Sequence, residues 1–248
     1  MNIAVCVCQV PDTASVIGFV DGAIDLSRVN DVMNPYDEYA LEEAVCLKER
    51  FEGSTVTVFS VAAVSSKEML RKALAMGADR AVLVSNIVVS DSFQTAQVLC
   101  QAISAFYQQA LPDLVFCGKH STDFQNGQVP PMLAEMLGIP SVTGITALHA
   151  SFESIQVERE IEGGVEYIDI NYPALLSADK GLNMPRKTSI RAVIEARKKT
   201  IDLFYATLCE NASVALISIE PLERKKICKF MNSEKELIRH LSEEYSFF

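Results

Sequence analysis

The chain predicts an α/β fold: a doubly wound, mainly parallel sheet with antiparallel edge strands and a C-terminal arm. Three observations lead there. Up to Cys117, short apolar runs alternate strictly with amphipathic helical stretches, as right-handed βαβ crossovers require. From Ile155 the pattern changes to apolar/polar alternation on either side of Glu162-Gly163-Gly164, a hairpin signal. Beyond Thr200 only short apolar patches such as Ala215–Ile219 remain before a polar helix at Ser233–Tyr245, too few to bury themselves.

Each element has a local reason. Asn2–Val10 is apolar at nearly every position, predicts a buried strand and is stopped by Pro11. A small hairpin is expected over Phe19–Leu26, turning at Asp21-Gly22. Asn34-Pro35 opens a helix with Asn as cap and Pro at the first helical position; its stripe of Ala40, Leu41, Ala44, Val45 and Leu47 runs to Phe51. Thr55–Ala62 is a second buried strand, followed by a helix capped at or near Ser66 and closed at Gly77. Ala81–Val84 is a third strand, Asp91–Gln109 a third helix, and Leu114–Cys117 a fourth strand led in by Pro112-Asp113. Pro173–Ala178 is a further apolar run, and Asn183–Lys199 holds a capped helix.

Composition narrows the function classes. The 248 residues carry 22 Lys+Arg against 32 Asp+Glu, a formal net charge of −10, which disfavours nucleic acid and anionic membrane as partners. No apolar run of about 18 residues and no charged leader is visible, so a cytoplasmic protein is expected. The seven cysteines are an odd number set in apolar periodic segments, which argues for reduced core thiols. Cys6 and Cys8 face the same way on a strand, yet no CxxC or histidine partner accompanies them, and no metal site is expected.

The most informative stretch is Gly118–Gly138, GKHSTDFQNGQVPPMLAEMLG, which joins the fourth strand to an amphipathic helix through a polar turn. Ligands of parallel sheets sit beyond the carboxyl ends of the strands, where Val10–Thr13 and Val61–Val64 are also expected. Backbone N–H groups at a helix N-terminus attract an anion, phosphate above all. Pro130 and Pro131 lack an N–H, so the donors would be Asn126, Gly127, Gln128 and Val129. Neither GxxxxGK[ST] nor a GxGxxG after a strand is present, and an ordinary βα loop is the open alternative. A basic cluster, Arg186, Lys187, Arg191, Arg197, Lys198 and Lys199, stands out in so acidic a chain; it reads as a solvated face or as a binding surface.

In this order, CVCQVPDT at Cys6–Thr13, MNPYDEYALEEAV at Met33–Val45, ALAMGADRA at Ala73–Ala81 and VEREIEGGVE at Val157–Glu166 resemble the β subunits of electron transfer flavoproteins. The frames GK...D...QV...LAE.LGIPSVT over Gly118–Thr143 and NMPR...I...EARKK over Asn183–Lys199 match in register, so the likeness spans about residues 1–220. The resemblance implies a non-catalytic electron-carrier half of a heterodimer whose α subunit holds FAD. Residues 1–199 become an adenine-nucleotide-binding domain with a docking loop and helix at 183–199, and 200–248 an arm on the partner subunit. The nucleotide would touch backbone at Cys6 and Val61, the Asn34 side chain, Asp123 and the N–H groups of Gly127, Gln128 and Val129. Some relatives hold AMP there; an electron-bifurcating group holds a second FAD, with NADH as donor and ferredoxin as acceptor. QVPDT and Asp91-Ser92-Phe93-Gln94-Thr95 resemble the bifurcating group, whose segment binds the FAD pyrophosphate through Asp91, Ser92 and Thr95; a plain N-cap is the simpler role for Ser92.

Departures from the family pattern matter too. Cys8 stands where lysine is usual, His120 replaces glutamine, Phe124-Gln125-Asn126-Gly127 replaces a Gly-Asp-Thr-Ala type of loop, and Pro130 replaces glycine. Phe124 adopts positive φ only at a cost, so the loop must be rebuilt if that glycine used it. By the same resemblance Ile190 docks on an acyl-CoA dehydrogenase with Arg191 and Arg197 around it; Ile190 buried in its own domain is the alternative. Rivals to the whole reading are an ATP-hydrolysing or adenylating enzyme, for which Gln9–Thr13 lacks the SGGxDS-like loop, and a flavin-free nucleotide-binding homodimer.

Overall fold

Burial on both faces shapes the first strand: Asn2–Cys6 (β1) is exposed only at Asn2, and Ile3, Ala4 and Val5 are inaccessible. The computed structural model describes residues 1–20, 23–25, 27–108, 110–208, 212–220 and 228–245. The strand predicted over Asn2–Val10 divides. Val7 still donates to the Phe59 carbonyl at 2.9 Å, but the Cys8 amide is taken by Asp37 and its carbonyl by Asn34, which turns the chain out of the sheet. Gln9–Pro11 (β2) then leaves to pair antiparallel with Asp31–Met33 (β5). The expected hairpin is Gly18–Val20 (β3) against Ala23–Asp25 (β4), with Phe19 opposite Ile24; its turn residues and Leu26 lie outside the described residues.

The crossovers follow as the pattern dictates. Pro35–Arg50 (α1) leads to Thr55–Val61 (β6). Lys67–Met76 (α2) closes at Gly77, whose φ of +130° and close approach to Val45 exclude a side chain. Arg80–Val84 (β7) is followed by Ser92–Phe106 (α3), capped by Asp91; Gln109, the predicted end of this helix, lies outside the described residues. Leu114–Gly118 (β8) leads through the polar turn to Val129–Leu137 (α4). Two capping expectations change. Neither Asn34 nor Ser66 caps with its side chain: the Ser66 hydroxyl bonds Gln9 instead, after a single 3-10 turn at Val64–Ser66.

One long strand was not foreseen. Ser141–Ala150 (β9) bends at a β-bulge beside Gly144, where φ is +71°, and bonds into Ser177 through the Gly144 amide. It pairs antiparallel with Ile155–Ile161 (β10), itself hairpinned to Gly164–Ile170 (β11). Ala174–Ala178 (β12), buried at every position, returns into the sheet and runs parallel to both β8 and β9. Ile190–Lys198 (α5) follows. Ile201–Phe204 (β13), the first stretch of the expected arm, adds a parallel edge strand beside β7. Glu234–Tyr245 (α6) ends the described chain.

The main sheet therefore has nine strands in the order β11-β10-β9-β12-β8-β1-β6-β7-β13, parallel from β9 to β13 and antiparallel at the β10–β11 end. α1 and α2 cover one face and α3 and α4 the other, each over its own apolar layer, so the doubly wound fold expected from the sequence holds. Among the described residues no helix is long and apolar enough to cross a membrane.

Two of the recurring motifs lock to each other. Arg186, from the NMPR stretch, places its guanidinium on the buried Glu42 carboxylate at 2.9–3.0 Å and on Glu49 at 2.6 Å, while Asn183 donates to the Tyr39 carbonyl and to Glu43, both at 2.9 Å. Burial works against the charged form of Glu42, but its bonds with Arg186 outweigh this and hold the carboxyl below its usual value. Arg186→Met leaves that carboxylate buried without its partner and is expected to cost about 2–3 kcal/mol in chemical denaturation at pH 7. Because the shift is downward, the wild-type advantage is present above the ordinary glutamate value of 4.5 and fades as the pH falls through the lowered one.

Candidate nucleotide site at the carboxyl rim of the sheet

Parallel register brings four candidate segments to one rim. Val5 lies opposite both Val58 and Phe116, so β1, β6 and β8 end nearly level, at Cys6, Val61 and Gly118. α1 begins just beyond, and its first turn reaches back over the strand ends.

The contact that organises the rim is a carboxylate absent from the sequence-predicted set. Asp37, 4% exposed, accepts from the Cys8 amide at 2.7 Å with one oxygen, and from the Gly118 amide and the Asn34 carboxamide with the other, both at 3.0 Å. Gly118 permits this approach because it has no side chain: a Cβ there would lie 2.3 Å from the Asp37 Oδ1 and 2.7 Å from the Tyr36 Cβ. Burial raises the Asp37 pKa from 3.8 to about 6, against the lowering effect of its three donors. The signal was present in MNPYDEYALEEAV, an acidic residue in the first turn of a helix whose neighbours are otherwise buried, but ordinary helix-dipole complementation explains such a residue equally well.

Asn34 is 1% exposed, and both hydrogens of its carboxamide are used, on Asp37 Oδ1 and on the His120 carbonyl at 2.9 Å. Its Oδ1 has no partner, and neither has the buried hydroxyl of Thr122. Such orphaned groups cost about 1–3 kcal/mol each in a closed interior and suit a site that receives a polar ligand. His120 is held in its loop, with its ring 4.5 Å from that of Tyr36.

In the polar turn the left-handed positions fall after Phe124. Gln125 and Gly127 take positive φ, at 54° and 64°, while Phe124 does not and stands 68% exposed. Asp123 accepts from the Phe124 amide at 2.8 Å. Among the described residues nothing accepts from the N–H groups of Gly127, Gln128 and Val129, at the start of α4. Three free donors at a positive helix end fit a phosphate, and the orphaned Asn34 Oδ1 fits a sugar hydroxyl, so the residues present suit those two parts of a nucleotide.

The second predicted set sits at the start of α3. Asp91 caps the helix, accepting from Gln94 at 2.8 Å, and its other oxygen receives the amides of Ser213 at 2.5 Å and Val214 at 3.2 Å. The Gln94 amide first, with those of the tail behind it, keeps the carboxyl below its usual value. The Thr95 hydroxyl bonds the Asp91 carbonyl at 2.9 Å, and Ser92 is the first helical residue, half-buried.

The rim thiols of Cys8 and Cys117 are raised by their surroundings. Cys6 is buried against Cys117, and that contact, with burial, pushes the Cys117 thiol well up; Cys8, off the strand, is also raised, first by burial and then by Asp37. Among the described residues no cluster of His, Cys, Asp and Glu could hold a metal ion. A cleft of about 590 Å³ lies elsewhere, between Asp12 and Asn30, and includes none of the predicted site residues.

The third predicted set lies on α5, which packs beside α2. Ser189 caps α5 by accepting from Ala192 at 3.1 Å, and Ile190, the first helical residue, is 83% exposed, with Val193 and Ile194 exposed beside it. The reading that buried Ile190 in its own domain is thereby set aside. Arg191 and Arg197 are exposed, whereas Arg186, Lys198 and Lys199 are engaged within the chain.

Known proteins share this arrangement in sequence. The family model described as "Electron transfer flavoprotein domain" matches residues 21–208. The electron transfer flavoprotein subunit beta of Thermoanaerobacterium thermosaccharolyticum is 40% identical over 202 residues, covering 80% of this chain and 76% of that protein. That of Megasphaera elsdenii is 35% identical over 234 residues, covering 92% and 87%, and the protein FixA of Azorhizobium caulinodans is 34% identical over 213 residues, covering 83% and 75%.

Titration tests the buried carboxylate. Between the ordinary value of 3.8 and about 6 the folded chain keeps a proton on Asp37 that the unfolded chain has released, so the contribution of this group to stability falls as the pH rises through that window. The stability of wild type relative to Asp37→Asn, from denaturation at pH 4 to 8, is expected to decline up to about pH 6 and then level off. Gly118→Ala, which forces the carboxylate aside, is expected to cost roughly 2–3 kcal/mol in the same assay.

Proposed function

The chain belongs to the electron transfer flavoprotein family as a β subunit, and on that premise we propose that it is one half of a heterodimer that carries electrons between FAD and other redox proteins. The α subunit is its constant partner and shares the FAD with it; the tail beyond β13 lies against that subunit. This chain binds an adenine nucleotide at the carboxyl rim of its sheet. The observation that carries the reading is the coincidence, at one rim, of an orphaned Asn34 acceptor with three unpaired backbone donors at Gly127–Val129. Backbone at Cys6 and Val61 and the Asp123 side chain complete the surround.

FAD, when bound, supplies the hydride and one-electron chemistry. The chain's own residues bind, orient and shield; none of them acts as acid, base or nucleophile. QVPDT and the Asp91–Thr95 segment favour a second FAD, with Asp91, Ser92 and Thr95 at its pyrophosphate, NADH as donor and ferredoxin as low-potential acceptor. A specific observation favours the other member of the pair, a structural AMP: the Asp91 carboxylate and the Thr95 hydroxyl already have partners inside the chain. An acyl-CoA dehydrogenase docks on α5, with Ile190 as the apolar anchor and Arg191 and Arg197 steering an acidic surface toward it.

Nucleotides released by acid from the copurified heterodimer separate these readings. Two FAD per dimer is the expected result; one FAD and one AMP moves the assignment to the non-bifurcating carrier. A colourless, nucleotide-bearing homodimer overturns the flavoprotein reading. Ile190→Ala is expected to slow reduction by the dehydrogenase at least about tenfold in stopped-flow absorbance, with the thermal midpoint unchanged, because an exposed anchor contributes to binding and not to folding.

A further inference from the structure

We propose that Asp37 is a positioning residue of the nucleotide rim, fixing the distance between the segments that leave β1 and β8 through its hold on the Cys8 and Gly118 amides; the inference rests on the adenine-nucleotide reading given above. β1 and β8 are neighbours in the sheet, with Val5 opposite Phe116, but their ladder ends there and the two chains diverge. Past that point a single carboxylate spans the gap, at 2.7 Å to one segment and 3.0 Å to the other. Asn34 extends the bridge, since one carboxamide nitrogen joins Asp37 to the His120 carbonyl, inside the loop that ends in Gly127–Val129.

Both sides of the rim thus hang from one buried group. The Cys8 and Gly118 amides are consumed by it and are not available to an anion, which leaves the donors at the start of α4 as the place for phosphate. The groups that face the carboxylate are amides and thiols, namely Asn34, Cys8, Gly118 and, in its field, Cys117. A shift of about 1 Å between the two segments would move the Asn34 acceptor relative to the phosphate donors, and binding sites lose about tenfold or more for displacements of that size. Gly118 is explained in the same way: any side chain there would occupy the space of the carboxylate oxygen.

The test uses the full-length chain coexpressed with its α subunit, stripped of nucleotide and titrated calorimetrically with AMP and, separately, with FAD. Asp37→Asn retains the size of the side chain but offers one acceptor where two amides need one each. Arg186→Met serves as the comparison, since it weakens the hold on α1 at Glu42 and Glu49 without removing any hydrogen bond of the rim. At pH 7 Asp37→Asn is expected to weaken the bound nucleotide at least about tenfold, while Arg186→Met, with an equal or larger fall in thermal midpoint, changes affinity less than about twofold. Equal effects of the two variants on affinity, whether both small or both large, would make Asp37 a merely structural residue and overturn the proposal. Should Asp37→Asn not fold, Asp37→Glu, which keeps the charge and moves it by one methylene, takes its place under the same criteria. A wild-type dimer that takes up neither AMP nor FAD would remove the nucleotide reading itself, and this proposal with it.

Discussion

A carboxylate buried where two parallel strands end is the constraint on which the rest of the rim depends. Removing Asp37 from water is costly for a charged group, and the cost shows in its raised titration. Three short hydrogen bonds offset it: the donors are two backbone amides and a carboxamide that would otherwise be orphaned in the interior. The position at the third residue of α1 adds the favourable end of a helix dipole. Every group in the knot needs the others, so Pro35, which starts the helix, Gly118, which leaves room for it, and Asn34, which links it to the next loop, behave as one unit.

α1 carries this constraint from the rim toward the surface that includes α5. Its first turn holds the strand ends; one to two turns further on, Tyr39, Glu42 and Glu43 grip Asn183 and Arg186, at the head of the segment that leads into α5. The buried Glu42 requires a cation, and Arg186 meets it with a forked geometry that lysine lacks. A solvated basic face is thus a poor description of Arg186, which is a structural ligand, while Arg191 and Arg197 remain exposed around Ile190. In a chain of net charge −10 that separation matters: the local positive field at α5 arises from the cations that the fold leaves uncommitted.

The start of α3 shows the opposite economy. Asp91 there is fully committed, to its own helix and to the returning chain at Ser213 and Val214, so the tail that leaves β13 is tied to the start of α3 before it reaches α6. At and beyond that tie, Val214, Leu216 and Ile217 are strongly exposed.

The amino-acid sequence by itself determined the periodic part of this protein. Short continuous apolar runs bounded by turn residues read as strands buried on both faces, and the helical stripes between them cover those faces, so the parallel sheet and its carboxyl rim are legible from Asn2 to Cys117. Glycine turns determined the β10–β11 hairpin for a similarly local reason. The tertiary structure alone decided what depends on residues far apart in the chain. It decided that the chain leaves the sheet at Cys8, because Asp37 and Asn34 claim the backbone of that residue. It inserted β12 between β8 and β9, and β13 at the far edge, because strand order is a matter of which edge is free and not of local pattern. β9 is not legible in the sequence because its bulge at Gly144 breaks the alternation of a regular strand. Asp37 was hidden for the deepest reason: a surface acid and a buried one look alike in a sequence, and only the amides that converge on it tell them apart.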